Sequence, residues 1–247
     1  MKSYNSISIN RYSIKDSVED LEKLIASLRL TKFHLLGHSF GGILAYEYIK
    51  STLAQSSSST PSQCMSLILA NAPCNMRICL KESSRLQEEI TTELSHDLPD
   101  VEDSSAKEVS FMKSIKETLR KRHECRTQVT PEPLANAIEH RGRSSSWSGP
   151  EAVGDYVASM PHPMSPTSCV HPLNINMMPS VLLIRGEFDF ITEICITGWR
   201  SIFADGLKSS GMAYREEVMK NCAHYCHLED EQSFAELVKS HCFINDY

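Results

Sequence analysis

The stretch Gly37-His38-Ser39-Phe40-Gly41-Gly42 constrains this chain more than any other. It follows a short apolar run, Phe33-His34-Leu35-Leu36, which reads as a buried strand. Gly41 to Lys50 comes next and reads as a helix, with Ile43, Leu44, Ala45 and Tyr48 available for packing. A G-x-S-x-G pattern between strand and helix sets a serine on a sharp, strained turn. The glycines answer a steric need, because side chains there would collide with the adjoining strand and helix. Ser39 Oγ is thereby held at the C-terminal edge of a sheet, and the Phe40 N–H points at the same spot, where it can stabilise an oxyanion. A phosphate-binding loop is the rival reading of a Gly-rich strand–helix turn, but its Gly-Lys-Ser/Thr ending is absent here.

A serine is a poor nucleophile at neutral pH unless a histidine takes its proton and a carboxylate orients that histidine. On a strand–turn–helix of this kind the chain order is serine, acid, histidine. Downstream, Val181-Leu182-Leu183-Ile184 reads as a strand that runs into Arg185-Gly186-Glu187-Phe188-Asp189. A carboxylate just past a strand's C-terminal end reaches the edge that holds the serine. Asp189 is the better candidate and Glu187 the rival. Asn221-Cys222-Ala223-His224-Tyr225-Cys226-His227-Leu228-Glu229 then offers the base. His224 comes first after the polar loop, while His227 leads into the next helix and is expected to pack or cap. The bunching of Cys222, His224, Cys226 and His227 raises a zinc reading, but the spacing is not that of paired zinc ligands, and Cys222 and Cys226 are expected to pack. No metal and no cofactor are expected.

The rest of the chain gives the frame. Val18, Leu21, Leu24, Ile25 and Leu28 recur at helical spacing, with Ser13 and Asp16, or Ser17 and Asp20, available as the cap. Met65 to Ala70 reads as a strand closed by Asn71-Ala72-Pro73, and a weak strand near Tyr214 to Met219 precedes a final helix near Glu231 to His241. Between about Asn75 and Asn176 the strands stop. Ser83 to Glu93 and Ala106 to Glu124 are charged amphipathic helices, and Glu132 to Glu139 adds a short one. Alternating strands and helices at both ends imply a parallel α/β sheet, with the helical middle inserted as a cap. The expected division is a core part with the nucleophile at residues 1–74, a cap at 75–176, and a core part with acid and base at 177–247. Hydrophobic residues make up 41% of the 247 and the formal net charge is −6, which disfavours nucleic acid or an anionic membrane as partner. Met1 to Tyr12 carry no apolar segment, and the nine cysteines have no framework spacing. Both features point to reduced thiols in a cytoplasmic setting.

His34 to Gly42, with the preceding Val18-Glu19-Asp20-Leu21-Glu22 helix, resembles the nucleophile region of the proline iminopeptidases, a family of α/β-hydrolases. Arg85-Leu86 is similar to the family's first cap helix. Lys121-Arg122-His123-Glu124-Cys125-Arg126, followed by Pro131-Glu132-Pro133, resembles a signature in its cap. The segments at Asp189 and at His224 resemble the family's acid and base. The resemblance runs from about residue 12 onward. It implies an α/β-hydrolase fold with a helical cap and release of an N-terminal residue, usually proline, from small peptides. Ser39 would be the nucleophile, His224 the base and Asp189 its orienter, with no cofactor. Two departures qualify this. The family's H-G-G-P-G segment, source of a second oxyanion N–H, has no counterpart between Met1 and Leu36, so the chain is expected to begin after the fourth strand of the usual eight. The family's G-P-x-E-F stretch, whose glutamate holds the substrate amino group, has its best counterpart in Met160-Pro161-His162-Pro163-Met164-Ser165-Pro166, with a serine in the glutamate's place. Glu132, Glu139 and Glu151 are the candidate substitutes. A small amide or ester hydrolase, and a truncated or inactive relative, are the alternatives to the peptidase.

Overall fold

The computed structural model describes residues 13–54, 62–96, 104–140, 153–160, 178–206 and 213–246. Four parallel strands form one sheet in the order β1-β2-β3-β4: β1 Lys32–His38, β2 Gln63–Ala70, β3 Ser180–Gly186 and β4 Tyr214–Met219. Parallel neighbours need a crossover between them. Helix α1 (Ile14–Ser27) leads into β1, and α2 (Phe40–Ala54) carries the chain from β1 to β2. Of the two caps read from the sequence, the structure uses the first. Ser13 Oγ accepts from Asp16 N–H, and the Asp16 carboxylate accepts from Ser13 N–H at 2.7 Å, closing a capping box.

Successive residues of a strand point to opposite faces, so each central strand feeds two cores. Leu67, Leu69, Val181 and Leu183 pack with Val18, Tyr46, Ile49, Trp199 and Phe203 on one face. Ile68, Ala70, Leu182 and Ile184 pack with Met219 and with Phe234, Leu237 and Val238 of the last helix on the other. The continuous apolar runs of β2 and β3 are what a strand covered on both faces requires. β1 pairs with β2 alone among the described strands, and its Leu36 is 41% exposed.

The described part of residues 75–176 contributes helices and no strand of the sheet: α3 (Met76–Ser95), α4 (Ser104–Leu119), a π-helical turn at Arg120–Glu124 and α5 (Glu132–His140). α3 begins seven residues before the helix read at Ser83, because Asn75 caps it by accepting from Ile78 N–H at 3.2 Å. Arg122 binds Glu93 through two 2.7 Å contacts and ties the π-helical turn to α3. After β3 come α6 (Glu193–Arg200) and a π-helical turn at Ser201–Gly206. After β4 come the short α7 (Cys226–Glu229) and α8 (Glu231–Ile244). The loop at Gln55 to Pro61, Glu151 and the Pro161–Pro166 stretch lie outside the described residues. None of the described helices is long and apolar enough to cross a membrane.

Candidate active site

Ser39 stands between β1 and α2 with φ 54°, a left-handed conformation costly for a residue with a Cβ. Two backbone bonds hold it there: Ser39 N–H donates to Ala70 O at 2.9 Å, and Gly42 N–H donates to Ser39 O at 2.9 Å. The turn is tight enough that a Cβ on Gly37 would meet Gly41 O at 2.1 Å, and one on Gly42 would meet Ala72 Cβ at 2.3 Å. The steric argument for glycine therefore holds at Gly37 and Gly42. It fails at Gly41, where an added Cβ would meet nothing within 4 Å. Phe40 opens α2, so its N–H belongs to the first turn, where helix N–H groups and the helix dipole favour negative charge.

The acid and base candidates meet at the same sheet edge. Asp189 Oδ1 accepts from His224 Nδ1 at 2.9 Å, and both side chains are buried. A carboxylate can only accept, so Nδ1 carries the proton and Nε2 is left as the basic nitrogen. Asp189 Oδ1 also accepts Ile191 N–H at 2.8 Å. Gly186 makes the approach of the two loops possible, since a Cβ there would stand 2.1 Å from Ala223 O. Glu187, the rival acid, turns elsewhere. It accepts Asn221 N–H at 3.0 Å and Lys220 Nζ at 3.2 Å, which hold its carboxyl below the usual range. Among the described residues no hydrogen bond joins the rival base His227 to Asp189. Its buried Nδ1 has no hydrogen-bond partner among the described residues, and burial lowers its pKa. The His224 ring is flanked by Phe190 at 4.3 Å and His38 at 4.8 Å between centroids. Among the described residues no hydrogen bond joins Ser39 Oγ to His224; the two loops are joined instead by His38 Nε2–H, which donates to His224 O at 2.7 Å. His38 is driven down to about 3 by burial, with His224 adding to the effect, so it is neutral at pH 7.

Several contacts around this pair were not read from the sequence. Asn71, wholly buried, donates from Nδ2 to Asp189 Oδ2 at 2.6 Å. Cys226, expected only to pack, also donates from Sγ to Asn71 Oδ1 at 2.9 Å. The π-helical turn and the residues after it clasp both loops. His123 Nδ1–H donates to Phe188 O at 2.8 Å, Tyr225 N–H donates to Glu124 O at 3.0 Å, and Arg126 Nε donates to Asn221 O at 3.1 Å. Glu229 accepts both Ala223 N–H and Arg126 N–H, with burial raising its pKa. The one signal in the sequence for Asn71 was an asparagine closing a strand, a residue that tolerates the left-handed φ of 52° found there. Among the described residues no group of three or more His, Cys, Asp or Glu side chains is arranged to hold a metal ion. Glu132 and Glu139 are exposed on α5.

A family model for the alpha/beta hydrolase fold matches residues 2–89. No curated protein sequence matches the chain. Among solved structures, the proline iminopeptidase of Mycobacterium smegmatis is similar at a TM-score of 0.65 and 19% identity, over 95% of this chain and 73% of that one. A proline iminopeptidase-related protein from Thermus thermophilus gives 0.51 and 16%, over 94% and 71%. An esterase from Exiguobacterium antarcticum gives 0.51 and 20%, over 97% and 78%. The parallel sheet, the serine on a strand–helix turn and these likenesses agree: the chain has the α/β-hydrolase fold.

Proposed function

We propose that the chain is a serine hydrolase of proline iminopeptidase type, which releases an N-terminal residue, proline favoured, from small peptides. The observation that carries this reading is the buried Asp189–His224 hydrogen bond of 2.9 Å at the sheet edge where Ser39 sits on its strained turn. In the reaction, Ser39 Oγ attacks the carbonyl while His224 Nε2 takes its proton. The Phe40 N–H steadies the oxyanion that forms. His224 then gives that proton to the leaving amine, the C–N bond breaks, and the residue remains as an ester on Ser39. A water attacks this ester with His224 again as base, the bond to Ser39 Oγ breaks as His224 returns the proton to Oγ, and the free residue leaves. Asp189 keeps the Nδ1–H tautomer and offsets the imidazolium charge throughout. Residues 75–176 act in this reading as a cap over the site.

A second reading, hydrolysis of small amides or esters, is favoured by one feature. Glu132 and Glu139, two of the carboxylates considered for the substrate amino group, are exposed on α5 rather than buried at the site. Both readings predict covalent labelling by a fluorophosphonate, lost in Ser39→Ala. Soluble, folded protein that takes no label would overturn both and leave a chain that only binds. Proline- and alanine-linked chromogenic amides, set against acyl esters, divide the two: turnover of esters alone would sink the peptidase reading.

A further inference from the structure

The Asp189–His224 pair does not stand alone. Asn71 follows β2 with its side chain wholly buried, and its main-chain N–H donates to Ile184 O at 2.8 Å. Nδ2 donates to Asp189 Oδ2 at 2.6 Å and to Ala223 O at 3.3 Å. Ala223 directly precedes His224, so one amide group grips the acid and the backbone of the base together. The amide can sit only one way round, because Asp189 Oδ2 and Ala223 O both accept. Oδ1 must then take a donor, and Cys226 Sγ supplies it at 2.9 Å. Burial pushes the Cys226 thiol up, which keeps its proton in place. Asp189 Oδ1 is already committed to His224 and to Ile191 N–H. Removing Asn71 would leave the buried Oδ2 without this donor, and an unsatisfied buried acceptor is costly.

We propose that Asn71 is a positioning residue for the catalytic pair, fixing the Asp189 carboxylate and the His224 backbone at once, with Cys226 holding the Asn71 amide in the required orientation. The proposal rests on reading Ser39, Asp189 and His224 as the triad. In this role Asn71 acts through Asp189 and the backbone before His224, not on the reacting atoms themselves. It restricts rotation of the carboxylate, so that Oδ1 stays in line with Nδ1–H while the imidazole gains and loses its proton.

The test measures the second-order rate of fluorophosphonate labelling across pH 5 to 9, on variants whose folding is checked by circular dichroism and thermal unfolding. Asn71→Ala is expected to slow labelling about 10- to 100-fold, as with groups that orient a metal-bound histidine, and less than the ~10⁴-fold known for loss of the acid from a triad. Asn71→Asp gives a signature that a structural role alone would not. Its buried carboxyl shares one proton with Asp189 at low pH and can donate to Oδ2; as pH rises the proton leaves and two like charges face each other. The ratio of Asn71→Asp to wild-type labelling is therefore expected to fall as pH rises. Cys226→Ser retains a donor and is expected to label faster than Cys226→Ala. If Asn71→Ala does not fold, the pH ratio of Asn71→Asp and the serine–alanine contrast at Cys226 decide. A folded Asn71→Ala that labels at the wild-type rate, or a pH-independent Asn71→Asp ratio, would overturn the proposal. Wild-type protein that does not label, or Ser39→Ala that does, would instead break the triad reading beneath it.

Discussion

A Cβ built on Gly186 would stand 2.1 Å from Ala223 O and 2.8 Å from Cys222 O, both backbone atoms of the loop that carries His224. Backbone cannot rotate out of the way as a side-chain tip can. Gly186→Ala must therefore push apart the loops that hold Asp189 and His224, and overpacking of this sort costs about 1–3 kcal/mol. Gly41 is the opposite case. It lies in the first turn of α2 with open space beside it, and alanine is worth about 0.5–1 kcal/mol over glycine inside a helix. Thermal unfolding should thus separate the two substitutions. At about 2–4 °C per kcal/mol for a chain of this size, Gly186→Ala lowers the midpoint by several degrees and Gly41→Ala does not lower it. Gly186→Ala should also label poorly with a fluorophosphonate. A Gly186→Ala protein as stable as wild type would mean that the loops yield more easily than their contacts imply.

At the scale of elements, the segment from Arg120 to Arg126 links the helical region to the loops that hold Asp189 and His224. The Arg126 guanidinium lies 3.9 Å from the centre of the Phe188 ring, beside Asp189 in sequence, while its Nε reaches Asn221 O in the base loop. An exposed cation over an aromatic ring is worth about 0.5–1 kcal/mol. A double-mutant cycle of Arg126→Ala with Phe188→Ala, read by urea unfolding, should return a coupling of that size. Additive effects would show that the stacking contributes nothing. The strands and most helices were legible in the sequence because each had a local pattern: continuous apolar runs in β2 and β3, 3.6-residue periodicity in α1, a capping pair at Ser13 and Asp16. Ser39, Asp189 and His224 were candidates because each follows the end of a strand, in the order serine, acid, histidine. Asn71 and Cys226 could not. Their partners lie more than a hundred residues away in sequence, and nothing local distinguishes an asparagine that grips a carboxylate from one that ends a strand. Gly41 misled for a similar reason, since its freedom from neighbours is visible only once α2 is placed against the sheet.

The molecule as a whole keeps His241 buried and His38 and His227 half-buried, and this shapes how its stability responds to acid. His38 is held down to about 3 by burial beside His224, Tyr225 and His227, and burial lowers His227 and His241 as well. An unfolded chain binds protons at histidine near pH 6.5. Between that pH and about 3 the unfolded state holds the extra proton at His38, so the free energy of unfolding falls as the pH falls. Above the unfolded value neither state is protonated and the contribution of these histidines is constant. Carboxyls drawn down in the fold, such as Glu187, add their loss at lower pH, around and below their unfolded value of 4.5. Glu229, raised by burial, works in the opposite sense and offsets part of the decline. From about pH 6.5 to about 4.5 the decline comes from the histidines, opposed by Glu229, and each group can contribute a slope of at most ~1.4 kcal/mol per pH unit. His38→Gln isolates one of them. A glutamine amide can place a donor near Nε2 and keep the bond to His224 O, yet it cannot take up a proton. Urea unfolding at pH 7, 6, 5 and 4.5 should show wild-type stability falling steadily and His38→Gln falling less steeply over the same interval. Equal slopes in the two proteins would mean that His38 takes up its proton in the folded state, and that its burial does not hold it neutral.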